Sequence, residues 1–238
     1  SIGDIIFLNM NGIISHRKSR GKFISDGSQL LSLKKIVPQI PIIVTFKNDE
    51  LTLCDEGVKD TERFLSKHGF IFSTTSLKPI LYGNLCIFDF TSMDLVKNPD
   101  IMKHTTPLHI TSALDNRLLD IIKNYIKPIR KIVVIVKTDT YSSEKKLLFR
   151  DISERLIKCG ADVVFGYGHH NLNTVNNYKK YNNGVIITSL GDLVNCNLDS
   201  SKRYGSKTEL CRYNTLSKEV DVLAINRVII EDCLLPTI

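Results

Sequence analysis

Lys131-Ile132-Val133-Val134-Ile135-Val136-Lys137 is the run on which the fold turns. Apolar and β-branched throughout its centre, it reads as a strand rather than a helix. Lys145–Cys159 follows, with Leu148, Ile152 and Leu156 four residues apart on one helical face, and Gly160 supplies a C-terminal stop. Asp162–Phe165 is then the next strand. Strand, helix and strand in immediate succession predict a layered α/β domain with a sheet at its centre.

Working upstream, Ile2–Leu8 reads as a buried first strand closed by the turn formers Asn9–Gly12. Gln29–Lys35 is a short helix and Pro41–Phe46 a second β-rich run ending in Lys47-Asn48-Asp49-Glu50. Val58, Thr61, Phe64 and Leu65 recur at helical spacing between Glu56 and His68, and Gly69 ends that helix. Phe70–Ser73 is a short strand, and Pro79–Leu81 with Leu85–Phe90 flanks Tyr82-Gly83-Asn84 as a hairpin. Thr91–Thr111 shows no clear period, and Leu114–Ile126 is a helix broken by Pro128. Downstream, Gly166–Asn177 reads as a polar loop and Val185–Ser189 as a strand. The tail, Leu210–Ile230, is β-rich in Val220–Ala224 and Arg227–Ile230. These late strands predict mixed sheets, and the lack of repeats or a low-complexity linker favours a single domain over residues 1–238.

Composition bounds the function. The chain has 238 residues, 42% hydrophobic and 24% charged, which is ordinary for a globular protein and excludes disorder as the main reading. Its apolar runs are strand-length, far short of a membrane span, and Ser1-Ile2-Gly3-Asp4 shows no signal-peptide pattern. The expectation is a cytoplasmic protein or an excised extracytoplasmic domain, with a preceding anchor left open. Six cysteines stand apart without a C-x-x-C pair, which argues against zinc clusters or thioredoxin chemistry and leaves free thiols as the main reading, with one or more disulfides as the alternative. The net charge is +7, part of it in Arg17, Lys18, Arg20 and Lys22. That run reads either as a solvated loop or as a landing site for a polyanion. No Trp is present and no aromatic interleaves the run, so nucleic acid is not the expected partner.

Polar loops at strand ends are where α/β sheets hold ligands. Gly3-Asp4 lies in the expected first strand, Asn48-Asp49 follows the second, and Gly166-Tyr167-Gly168-His169-His170 follows Asp162–Phe165. Carboxylates, an amide oxygen and imidazoles are the donors a metal-assisted phosphoesterase needs. Singly, each has a plain structural reading: an early Asp is often a turn or cap, and a loop His pair is usually solvated.

Order and spacing add to this. Phe46-Lys47-Asn48-Asp49 is followed without a gap by Thr52, Asp55, Glu56, Gly57, Asp60 and Thr61. Leu156-Ile157-Lys158-Cys159-Gly160-Ala161-Asp162-Val163-Val164-Phe165-Gly166 runs on to His170, and then come Thr188-Ser189-Leu190-Gly191-Asp192-Leu193 and the tail Asp221–Pro236. In these stretches the chain resembles the CapA family of poly-gamma-glutamate capsule-synthesis proteins, whose domain is similar to calcineurin-like metallophosphoesterases. The likeness is close over Ile157–Leu193 and loose in the N-terminal fifth, where the family's N-L-E segment has no counterpart.

The resemblance implies a four-layer α-β-β-α sandwich with mixed sheets. It also implies a metal set of Asp4, Asn48, Asp49, Asp139 and His170, with Asp49, His169 and His170 as the groups nearest to catalysis. The chain departs from the family pattern in that set. Asp49 stands where the family's A-N-N-H has its histidine, and Asp139 where S-L-H-W-G has another. G-H-x-P-H has become Gly166-Tyr167-Gly168-His169-His170. Replacing imidazole by carboxylate favours Mg²⁺, Mn²⁺ or Ca²⁺ over Zn²⁺, if metal is held at all, and removes a group able to protonate a leaving oxygen. The expectation is therefore a divergent CapA-like protein of anionic capsule-polymer synthesis or export, binding or scaffolding polyglutamate beside other capsule-synthesis proteins, with weak or no catalysis. The alternative is an active metal-dependent phosphoesterase or hydrolase using a hard divalent cation.

Overall fold

The structure is a computed structural model describing residues 5–11, 13–15, 24–47, 54–72, 79–92, 109–110, 116–126, 130–137, 143–167, 178–189, 207–230 and 233–237. The chain divides into one unit of Ser1–Ile80 with Lys97–His109 and another of Leu81–Val96 with Ile110–Ile238.

In the first unit, β1 (Ile6–Asn11) is followed by the short β2 (Ile13–Ile14) and β3 (Ile24–Ser25), α1 (Ser28–Ile36), β4 (Ile42–Lys47), α2 (Cys54–Lys67) and β5 (Ile71–Phe72). β1, β4 and β5 form a parallel sheet in that order, and β2 pairs in parallel with β3. Helices between successive strands are what allow parallel neighbours. β1 differs from the buried run expected over Ile2–Leu8. It continues through Asn9 to Asn11, in register with β4 up to Lys47. Ile6, Leu8 and Met10 pack on the core while Phe7 and Asn9 are exposed, the alternation of an edge strand with one buried face. Asn9 is tolerated in the strand because Thr45, its register partner, donates a hydrogen bond from Oγ1 to its Oδ1 at 3.2 Å.

Ile14, Leu30, Val37, Ile42, Val44, Val58, Leu65 and Phe70 form this unit's core. Thr61, fully buried, ties α2 to β2. Its Oγ1 accepts from the Ile14 N–H at 2.8 Å and donates to the Gly57 carbonyl at 2.8 Å. Gly69, with φ +66, ends the helix as expected from sequence.

The second unit begins with β6 (Ile80–Tyr82) and β7 (Leu85–Ser92), joined as the expected hairpin, with Tyr82 inside β6 and the turn confined to Gly83-Asn84. There follow β8 (His109–Ile110), α3 (Asn116–Tyr125), β9 (Lys131–Lys137), α4 (Ser143–Lys158), β10 (Val163–Tyr167), β11 (Tyr178–Tyr181) and β12 (Gly184–Ile187). The tail is a meander of β13 (Lys207–Tyr213), β14 (Val220–Ile230) and β15 (Cys233–Thr237). The main sheet runs β11-β12-β10-β9-β7-β6. Its central strands β7, β9, β10 and β12 are parallel and β11 is antiparallel to β12. The α/β class and the mixed sheet are thus as the sequence indicates.

Its two faces are covered differently. A Cβ on Gly166 would stand 2.7 Å from the Phe149 ring, and one on Gly184 would stand 2.4 Å from Ile157, so this face lies against α4. The core side of α4 is Phe149, Ile152, Ser153, Leu156 and Ile157, with Leu148 only half-buried. On the other face Val163, Val185, Ile187 and Phe165 pack against Cys211, Tyr213 and Val220 of the meander. Asp162 fastens the start of β10 to β9, accepting the Ile132 N–H at 2.9 Å. No helix among the described residues is long and apolar enough to cross a membrane.

Candidate functional site

Asp4, Asn48, Asp49, Asp139, His169 and His170, together with Arg17, Lys18, Arg20 and Lys22, lie outside the described residues. The strands that lead to them are described. Lys137 of β9 is in register with Tyr167 of β10, and Phe165 of β10 with Ile187 of β12, all parallel. The runs that begin at Thr138, Gly168 and Thr188 therefore start from one edge of one sheet, the C-terminal edge at which α/β proteins place ligand loops. Gly166 is required just before that edge, since a Cβ would meet the Thr188 carbonyl oxygen at 2.5 Å as well as the Phe149 ring. In the first unit, Asn48 directly follows β4. Among the described residues no three of His, Cys, Asp or Glu cluster as a metal would need.

The described residues also form a cleft of about 440 Å³ in the first unit, between the end of β2 and the outer stripe of α2. Asp60, Arg63, Phe64, Lys67 and His68 are spaced three and four apart and so share a helical face. Ser15, on the opposite wall, donates from Oγ to Asp60 Oδ2 at 2.8 Å. Arg63 donates from one terminal nitrogen to Asp60 Oδ1 at 3.1 Å. The His68 ring lies 4.6 Å from that of Phe64, tilted by 48°. At the helix's C-terminus, Lys34 of α1 donates to the carbonyls of His68 and, at 3.0 Å, Gly69. Its ammonium meets carbonyls that the helix leaves unpaired and offsets the negative end of the helix dipole. The basic run Arg17–Lys22 begins two residues beyond Ser15. The sequence reading passed over Arg63, Lys67 and His68 because charges on one face of a helix ordinarily mean solvent. Their i, i+3, i+4 spacing beside Asp60 was the available signal.

Two of the described thiols, Cys86 and Cys211, are held away from chemistry by burial. Cys86, Cys159 and Cys211 are free, as the spacing of the cysteines suggests. Burial pushes the Cys86 and Cys211 thiols up to about 11, with the Glu209 and Asp221 carboxylates adding to the effect at Cys211. Both stay protonated near neutrality and are poor nucleophiles. Burial likewise raises Tyr213 to about 12, helped by the Asp162 carboxylate, and its buried hydroxyl has no hydrogen-bond partner among the described residues. No family model and no curated protein matches this sequence.

Proposed function

We propose that the chain is a divergent CapA-like protein that binds or scaffolds an anionic polymer such as polyglutamate, alongside other capsule-synthesis proteins, with weak or no catalysis. The observation carrying this reading is the parallel trio β9, β10 and β12, which releases three motif-bearing runs at one sheet edge. The packing of helix α4, the main sheet and the meander in successive layers agrees with the helix, sheet and sheet of a four-layer sandwich. The +7 charge and the Arg17–Lys22 run supply the attraction for a polyanion.

The donor set Asp4, Asn48, Asp49, Asp139 and His170 is rich in carboxylate and fits Mg²⁺, Mn²⁺ or Ca²⁺ better than Zn²⁺. Two considerations place catalysis second. Within the family-like motifs, imidazole for proton transfer is confined to His169 and His170. In addition, Ile6 and Lys47 stand at opposite ends of the β1–β4 pair, about 17 Å apart at ~3.3 Å per residue. In sequence, Asp4 precedes one end of that pair and Asn48 follows the other. The test is polyglutamate binding by the full chain at rising salt, with Arg17, Lys18, Arg20 and Lys22 changed to serine in a second sample. Affinity falling steeply with salt, and lost in the variant, is expected. Binding absent at low salt, or indifferent to the substitutions, refutes the reading.

A further inference from the structure

We infer that the cleft between Ser15 and α2 binds a small molecule with a single oxyanion head, carboxylate or phosphate, held by Arg63, Lys67 and His68. This goes beyond polymer binding by the Arg17–Lys22 run and does not depend on it.

The argument starts from an imbalance of donors and acceptors. Lys67 has no acceptor among the described residues, and the imidazole of His68 makes only its ring contact with Phe64. Arg63 spends one of its five N–H donors on Asp60 and has no other acceptor there. Among the described residues the one carboxylate on this wall, Asp60, is already engaged through both oxygens, by Ser15 and by Arg63. Asp60 thus orients the guanidinium and offsets one positive charge of this wall, which leaves that of Lys67 in excess. An arginine anchored through one edge keeps another free for the paired hydrogen bonds that carboxylates and phosphates accept. Cations near a helix C-terminus normally answer the negative end of its dipole, but here Lys34 already does so. The charge of Lys67 and the unused N–H donors of Arg63 therefore remain available to a ligand.

Size and lining narrow the ligand. A volume of about 440 Å³ suits a small molecule and is within the range of ligand pockets. Phe64 contributes an apolar surface, and its own position is fixed. A Cβ on Gly27 would lie 2.3 Å from the ring, so the glycine lets the aromatic pack directly on the backbone where α1 begins. A polar head at Arg63 and Lys67 with a short aliphatic body over Phe64 is the fit.

The test is titration of the full chain at low salt with butyrate and, separately, with inorganic phosphate, read by calorimetry and by amide shifts of α2. Saturable binding of one probe molecule per chain is expected. It should weaken at least tenfold in Arg63→Gln combined with Lys67→Gln, and at least threefold in Lys67→Gln alone. Replacing Arg17, Lys18, Arg20 and Lys22 by serine should leave it within twofold. The probe that binds tighter identifies the head group. Both substituted side chains are exposed, and an unchanged thermal midpoint will show that the variants fold. No saturation with either probe, or affinity unchanged in the double variant, overturns the inference. So does loss of binding on replacing the basic run. Failure of polyglutamate to bind leaves it standing.

Discussion

Replacing Thr61 by valine exchanges one hydroxyl for one methyl at a position with no solvent exposure. The shape is kept, so no cavity opens, but the Ile14 N–H loses the oxygen 2.8 Å away that accepts its hydrogen bond. The Gly57 carbonyl keeps its place in the α2 ladder and loses only an additional donor. An orphaned buried N–H costs about 1–3 kcal/mol. In a urea titration the first unit should lose that much stability. Amide exchange at Ile14 should accelerate roughly 5- to 150-fold, since every 1.4 kcal/mol is a factor of ten. Thr61→Ser is the control, because it keeps the oxygen and removes a methyl worth about 1 kcal/mol. Stability falls in both variants, but only valine should release the Ile14 amide. A valine variant within about 0.5 kcal/mol of the parent, with Ile14 exchanging as slowly, would show that Thr61 does not join helix to strand in this way.

Four further outcomes follow from the same physical reasoning. Gly166→Ala should cost about 1–3 kcal/mol, because its Cβ meets a carbonyl oxygen as well as an aromatic ring, and a neutral result in thermal unfolding refutes the close packing. Tyr213→Phe should be neutral or stabilise by up to about 1 kcal/mol, since the lost hydroxyl is buried with no partner among the described residues; a loss greater than about 1 kcal/mol would reveal one. Cys86, Cys211 and Tyr213 have folded pKa values raised above their unfolded ones, so their contribution is fully present below pH 9. Stability should then decline as pH rises through about 11, and a flat urea midpoint between pH 9 and 11 contradicts this. Finally, the unmodified chain should hydrolyse a generic phosphodiester poorly with Mg²⁺, Mn²⁺ or Zn²⁺, whereas Asp49→His with Asp139→His should raise turnover. Robust activity of the parent, abolished by Asp4→Ala, restores the enzyme reading.

Legibility in the sequence tracked burial. β9 is bounded at Lys131 and Lys137, as its β-branched centre predicts, because a strand buried between neighbours leaves little choice of residue. α2 and α4 were equally plain, each having a continuous apolar face and a glycine after its end. β11 was missed within and beyond a polar stretch: Tyr178-Lys179-Lys180-Tyr181 is an exposed edge strand that carries no burial signal. Only Asn182-Asn183-Gly184, with Asn182 at φ 48, marked the hairpin turn beyond it. The two runs singled out within the β-rich tail, Val220–Ala224 and Arg227–Ile230, are joined through Ile225-Asn226 into the one strand β14. Asn226 sits between Lys207 and Thr237, and pairing on both sides outweighs the low strand propensity of asparagine. The candidate site was less legible. Loop residues obey no period, so they could be located only by strand ends and family resemblance. The cleft residues of α2 follow a helical period that solvent-facing charges share.

The unequal covering of the main sheet bears on how the chain is made. α4 lies between β9 and β10 in sequence, so one face of this sheet can close while synthesis is still in progress. The opposite face over Val163, Val185 and Ile187 waits for Cys211, Tyr213 and Val220, which leave the ribosome later. During that interval the nascent chain presents a row of branched apolar side chains to its surroundings, the kind of surface that invites aggregation. Any shortened form ending before Lys207 would keep that surface permanently, and a fusion partner or chaperone holding it until the meander arrives should improve the soluble yield.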